Sequence, residues 1–493
     1  MTRATRRAST WRNWSGWRPI PGSTAGPAGS DESPDGGHHC RLDLRRRRAL
    51  AHLAGAPRGE LPMSGIWTSG KSRQLPHQAT TANIGACYPF MAQGSLGTRG
   101  VYIGQDLYGA GGFCYDPWEL YPHVITSPNM LVIGQLGKGK SAKVKTYVDR
   151  QLVFGRRAFI MDPKDQGGQG EYTRLCQANG VRPIRLEPGG KVRLNPLDTR
   201  VAGGGLSARD MRRDQLKVLY ALIESTLKRS LHPSETSALD VALQAATEQA
   251  AERRIEPTLD LVSEWLIHPR VGAAERLGME RSELLLAGRD AALTLVRLCE
   301  GDLAGMFDGQ TSPGIDFTAP LVSLDMSALY QSEALGILMI CAQARIQRAL
   351  MADRSVRRIL VIDEGWAVLS NLAVARFMQY EIKMARALGV QVILIIHRLS
   401  DLTAAGTEDS EQLQIAKGML SDTETQVIFT QSTAEVQRAK ELLQLNSAQA
   451  ETIPDLAPHV ALWRVGRYTS EIRHRLLTED ERWLVDTDER MAA

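Results

Sequence analysis

Nothing in this 493-residue chain approaches the ~20 consecutive apolar residues that a membrane-spanning helix requires. Runs such as "VILII" at 392–396 are far shorter, so membrane association is expected to be peripheral or through partners. Cysteine is sparse: six lie scattered at 40, 87, 114, 176, 299 and 341, with no CxxC pair, and "HHC" at 38–40 has no second cluster to complete a metal site. This argues against a disulfide scaffold and leaves reduced thiols in or near a core. Charge of one sign is scarce too, because 59 basic against 55 acidic residues leave a formal +4, too little to argue for nucleic acid by itself.

What is present is enough apolar sequence, 43%, to bury a large core in two or three structural units. Basic charge is concentrated at the start, where "TRATRRAST" and Arg45 to Arg48 sit among Gly, Pro and Ser without apolar periodicity. Residues 1–73 therefore read as a disordered basic segment. It has no apolar stretch after its arginines to make a secretory signal. Two readings stand for it: a DNA-binding arm, or a misassigned start with Met63 the true first residue.

From 74 to 128, short apolar and aromatic pieces separated by glycines read as a few strands or hairpins. The segment 129–205 opens with a buried strand, "NMLVIG", a glycine turn and a helix, and "RAFIMD" ends a second strand at Asp162. Between 206 and 305 strand runs vanish and helical spacing takes over: Leu216, Leu219, Tyr220, Ile223 and Leu227 share one helix face. Ser234 is read as the N-cap of the next helix, which carries Leu239, Leu243 and Ala246. In 306–485 strands return as "PLVSLDMS", "RRILVIDEG" and "VQVILIIH", continuous apolar runs of the kind covered on both faces, and 486–493 is a tail. The expected fold is α/β, with a mainly parallel sheet, an inserted all-α subdomain and a disordered basic N-terminal segment.

Polar groups at the carboxyl ends of such strands line a ligand-binding edge. "GQLGKGKS", Gly134 to Ser141, fits G-x-x-x-x-G-K-[ST] at every fixed position, after a strand and before a helix. Its glycines let backbone N–H groups turn inward around phosphate at a helix N-terminus. The nucleotide contacts expected are Gly134, Gly137, Lys138, Gly139, Lys140, Ser141 and Ala142, with ATP as substrate. Lys140 reaches the β and γ phosphates and Ser141 ligates Mg²⁺. A magnesium-side carboxylate is needed on a neighbouring strand, and Asp363 in "ILVIDEGW" supplies it. Glu364 then polarises the attacking water as general base. Asp162 and Lys164 in "MDPKDQ" are either close to phosphate or part of an Asp-Pro turn; Asn195 and Pro196 shape a turn.

Together these residues resemble the assembly ATPases of type IV secretion and conjugation systems, the TraC-like branch of the HerA/FtsK superfamily of P-loop ATPases. The resemblance runs from about Thr80 to Val485. It rests on "ACYPFM", "GVYIGQD", the phosphate loop, "IMDPKDQGG", "RLNPLD", "LAGMFDGQT", "VIDEGW" as the Walker B motif, and "VIFTQS…LLQLNSAQAETI". It implies a RecA-like core, ATP hydrolysis, and a homo-hexamer with nucleotide between subunits. It also implies a place on the cytoplasmic side of the cell membrane, held by other secretion components.

Trp366 is either a core aromatic or the family position flanking the catalytic pair. Arg386 lies where the family carries an arginine before its last core strand, and is either a finger acting on the neighbour's γ phosphate or a solvated helix-face residue. Where the family usually has glutamine at the end of that strand, this chain has His397, whose neutral imidazole can still donate one hydrogen bond. Three functions follow: a motor for channel assembly or substrate transfer, a DNA-pumping translocase, and a nucleotide-gated scaffold. Lys140, Asp363 and Glu364 together argue against the scaffold.

Overall fold

Strand runs that are apolar on both faces have none to offer to water, and largely apolar runs of this kind form the centre of one eleven-stranded sheet. The structure, a computed structural model, describes residues 96–486 apart from 110, 165–168, 200–206, 302, 330–333, 353–354, 366–371 and 401–409. The basic segment 1–73 with Met63, the piece 74–95, Cys40, Cys87, Trp366 and the tail beyond 486 lie outside the described residues.

In chain order the strands are β1 (Val101–Asp106), β2 (Gly112–Tyr115), β3 (Met130–Ile133), β4 (Arg157–Asp162), β5 (Ile184–Arg185), β6 (Leu321–Asp325), β7 (Arg358–Ile362), β8 (Val390–Ile396), β9 (Thr425–Ile428), β10 (Val460–Val465) and β11 (Tyr468–His474). The sheet runs β2-β1-β11-β10-β9-β3-β8-β7-β4-β6-β5. From β9 to β5 every pairing is parallel. From β9 outward to β2 every pairing is antiparallel. Asp363 was expected on a strand beside the phosphate-loop strand. Instead β8 stands between β3 and β7, because the helical crossover after β7 returns the chain to the gap between them.

The period-two alternation of each strand assigns its residues to two cores. Leu131, Ile133, Leu360, Ile362, Val392 and Leu394 face one way and join a cluster shared with the helical region. Met130, Val132, Ile359, Val361, Ile393 and Ile395 face the other way, onto the helix that follows the phosphate loop. Burying one such aliphatic side chain contributes about 1.5–3 kcal/mol, so each of these strands is anchored from both sides.

That helix is α1 (Lys140–Val153); the longer helices after it are α2 (Ala208–Leu227), α3 (Pro233–Arg253), α4 (Leu259–Ile267), α5 (Arg281–Glu300), α6 (Ala334–Ala352) and α7 (Leu372–Leu388). Between β5 and β6 the described residues contain no strand. Leu219 and Ile223 of α2 are buried and Leu216, Tyr220 and Leu227 partly so, and the buried stripe also takes in Val218 and Leu222. α3 starts earlier than its Ser234 suggested. His232 is the N-cap and Pro233 is the first helical residue, where its missing N–H leaves nothing unpaired, while Glu235 closes a capping box. Asn195 does shape a turn, donating to Pro257 O (2.9 Å) and accepting from Leu197 N (3.0 Å).

Cys176, Cys299 and Cys341 are buried free thiols and Cys114 is half-buried. Among the described residues no helix is long and apolar enough to cross a membrane.

Candidate active site

Four parallel strands, β3, β8, β7 and β4, end side by side at one sheet edge, and each delivers part of the phosphate-loop constellation there. After β3 the chain turns through Gly137 (φ 71°) and Gly139 (φ 94°), both in the left-handed region where a side chain is strained. Gly134 has a second constraint: a Cβ there would sit 2.5 Å from Phe429 Cβ. Gly139 caps α1 without any side-chain acceptor, so the first N–H groups of the helix remain available to an anion. Lys138 is half-buried on the loop, and Ser141 and Ala142 open the helix half-buried behind it.

Lys140 folds back into the loop, its Nζ donating to Gly134 O (2.5 Å) and Gln135 O (2.8 Å). Burial pushes its ammonium down to about 8, against the opposing pull of Asp363. Asp363, just beyond β7, accepts from Tyr172 Oη (3.1 Å) and from the N–H of Glu364 (2.9 Å). Burial, with the negative Glu171 nearby, pushes its carboxyl up to about 6. Glu364 holds a left-handed φ of 53°, which costs a non-glycine residue about 1–2 kcal/mol. The strain aims its carboxylate at β8, where Oε1 lies 2.7 Å from His397 Nε2.

A carboxylate offers only acceptors, so Nε2 carries the proton in that pair. His397 Nδ1 is buried with no hydrogen-bond partner. Behind it, Gln431 Nε2 donates to His397 O (3.2 Å), tying the end of β9 to the end of β8 across β3.

Asp162 ends β4 fully buried, and its carboxylate accepts from the N–H of Tyr172 (3.0 Å) and of Lys164 (3.3 Å). It organises the turn. Lys164 reaches the other way, its Nζ 2.6 Å from Glu171 Oε2. Glu171 Oε1 lies 3.2 Å from Lys145 Nζ. Burial would raise the Glu171 carboxyl, but the two lysines, with Ser141 nearby, outweigh it and hold it down at about 2.

Arg386 is exposed in the last turn of α7, just before β8 begins. This puts it at the opposite sheet edge from its own phosphate loop.

Four carboxylates, Asp162, Glu171, Asp363 and Glu364, thus converge with three lysines, 140, 145 and 164, and burial among like charges raises the carboxyls of both Asp162 and Asp363. The described residues contain no group of three or more His, Cys, Asp or Glu that would hold a metal alone. The donor set therefore suits a magnesium ion that brings most of its ligands as phosphate and water.

Glu171, Tyr172 and Lys145 carry no motif in the sequence, since their partners are distant along the chain, and Gln431 was read only as part of "VIFTQS", without a role. The one local signal was "GEY" soon after the "MDPK" strand end.

No family model and no curated protein matches the chain. Among solved structures, VirB4 of Thermoanaerobacter pseudethanolicus superposes with a TM-score of 0.62 at 20% identity, covering 79% of this chain and 100% of that one. The chain has the VirB4 fold. The plasmid coupling protein TrwB in complex with ADP and Mg²⁺ superposes with a TM-score of 0.49 at 16% identity, covering 77% of this chain and 91% of that one. The fold shared with VirB4 is α/β, with the mainly parallel sheet described above.

Proposed function

We propose that the protein hydrolyses ATP at the edge formed by β3, β8, β7 and β4. The observation that carries this is the pairing of a phosphate loop, with Lys140 folded into it, and a strained Glu364 presented at the end of β7, two strands away on the same sheet edge. The backbone N–H groups at the start of α1 take the phosphates, and Lys140 exchanges its two loop carbonyls for phosphate oxygens. Ser141 and Asp363 would hold Mg²⁺, which neutralises charge developing on the terminal phosphates. Glu364, oriented by His397, takes the proton of the attacking water.

In a ring of subunits Arg386, exposed at the far edge, would be presented to a neighbour's terminal phosphate. We read the assembly as a homo-hexamer that powers channel assembly or substrate transfer in a type IV secretion or conjugation apparatus, held at the membrane by partner proteins. The motif order along the chain and the VirB4 fold support this reading.

The test is ATP turnover by purified protein, alone and with single-stranded or duplex DNA, with Lys140→Ala as control. Turnover that Lys140→Ala removes and DNA leaves unchanged supports the assembly motor. Strong stimulation by duplex DNA would replace it with a DNA translocase, and absence of both binding and turnover would end the ATPase reading.

A further inference from the structure

We propose that Glu435 is a positioning residue for His397: its carboxylate holds the main chain just beyond the histidine and so fixes the direction in which the imidazole meets Glu364. This deepens the reading above and rests on its assignment of Glu364, oriented by His397, to the attacking water.

A working histidine is ordinarily fixed by the hydrogen bond of its second ring nitrogen. His397 Nδ1 is buried and has no such partner among the described residues, while Nε2 faces Glu364 Oε1 at 2.7 Å. One bond at the tip leaves the ring free to pivot, so the main chain has to supply the rest of the orientation. The sheet cannot do this, because β8 ends at Ile396, one residue too early.

Two buried side chains take over there, both from the chain that follows β9: Gln431, 2% exposed, and Glu435, 7% exposed, in the first turn of helix Thr433–Leu442. Gln431 Nε2 donates to His397 O (3.2 Å). Glu435 Oε2 accepts from two consecutive N–H groups, those of Leu399 (3.0 Å) and Ser400 (3.2 Å). The second hold is the firmer, since a bond to a carboxylate is about twice as strong as one between neutral groups. The other oxygen of Glu435 accepts from Arg438 Nη1 (2.7 Å), one turn along the same helix, which steadies the carboxylate from behind. His397 is thus gripped at its own carbonyl and again two and three residues on.

The same segment touches the phosphate loop at a different point, where Thr430 O accepts from Gln135 N (3.2 Å). Collapse of the segment would therefore reach nucleotide binding, whereas loss of the Glu435 bonds alone reaches only the end of β8.

The experiment measures steady-state ATP turnover and binding of a fluorescent ATP analogue by the full chain. Glu435→Ala should lower kcat about 10-fold or more, as His397→Ala does, with affinity for the analogue within about twofold of wild type. The double variant should be no slower than His397→Ala alone, since both substitutions act through one imidazole.

If the wild type has no turnover, or His397→Ala keeps full kcat, the reading beneath falls and takes this proposal with it. The proposal alone is overturned if His397→Ala is slow while Glu435→Ala keeps kcat, lowers affinity as much as kcat, or adds its own loss to that of His397→Ala. Should Glu435→Ala not fold, Glu435→Asp keeps the charge but withdraws the acceptor by one methylene. It must lower kcat in wild type and not on the His397→Ala background, and an unmoved kcat overturns the proposal.

Discussion

His397 Nε2 lies 2.7 Å from Glu364 Oε1, joining the end of β8 to the end of β7. The histidine therefore meets the proposed general base, and its other ring nitrogen is buried without a partner. Glu364→Gln is expected to lower kcat by at least ~100-fold, the scale of a lost general base, with nucleotide affinity retained. His397→Ala should lower kcat by about 10-fold or more by releasing that carboxylate. His397→Gln, which keeps a donor in place, should recover most of the loss. Steady-state turnover beside fluorescent-nucleotide binding checks all three, and a His397→Ala enzyme with full kcat would remove the histidine from the mechanism.

Lys140 predicts a pH dependence of binding. Burial puts its amine at about 8 before nucleotide arrives, and phosphate holds it charged in the complex. Below about pH 7 the free protein already carries the proton and affinity is full. Above about pH 8 binding must take up a proton, so affinity falls, by up to about tenfold per pH unit. Calorimetry in buffers of different ionisation enthalpy should show proton uptake at pH 9 and almost none at pH 6.5. Lys140→Ala should lose the uptake and about 10- to 100-fold in affinity.

The central sheet was legible in the sequence because β3, β4, β6, β7 and β8 are largely apolar runs, interrupted only by the buried Ser323 of β6 and Gln391 of β8, a pattern that burial on both faces imposes. Of the antiparallel extension, the β1–β2 hairpin was legible in the glycine-punctuated pieces before residue 128, whereas β10 and β11 were not. β11, "YTSEIRH", mixes buried and half-exposed polar positions, and β5 has two residues and no pattern to read. At the site, Lys140, Ser141, Asp363 and Glu364 lie in short contiguous motifs, and the structure places them at one edge with His397. Glu171 and Tyr172 escaped because what defines them is contact with residues 145, 164 and 363, which only the folded sheet assembles. Asp162 follows the same logic: its place at a strand end left it between a phosphate-side role and a turn, and here its carboxylate fastens the turn that holds Tyr172.

Gly365 offers a test of how finely the Walker B end is set. A Cβ there would lie 2.5 Å from Leu394 Cδ1 and 3.1 Å from Ile395 O, and although the leucine tip can move, the β8 carbonyl is fixed in the sheet. Gly365→Ala should therefore displace the preceding Glu364. A misplacement of about 1 Å can lower kcat by up to ~100-fold, while the phosphate loop, two strands away, keeps its affinity. Equal losses in kcat and in affinity would instead mean that the substitution disturbs the whole edge.

Glu381 on α7 is 1% exposed and neither carboxylate oxygen has a hydrogen-bond partner. Desolvation pushes its carboxyl up to about 7. A carboxyl whose folded pKa lies above its unfolded value binds its proton more tightly in the native state. Its stabilising share is therefore complete below about pH 4.5 and lost as pH rises through about 7. At pH 8 the native chain carries a buried charge at a cost on the order of 3 kcal/mol. Glu381→Met, similar in volume and without charge, should raise stability at pH 8 by an amount of that order and leave it nearly unchanged at pH 4.5. Urea unfolding of wild type and variant at the two pH values measures the difference, and an equal effect at both would show that packing rather than charge governs the site.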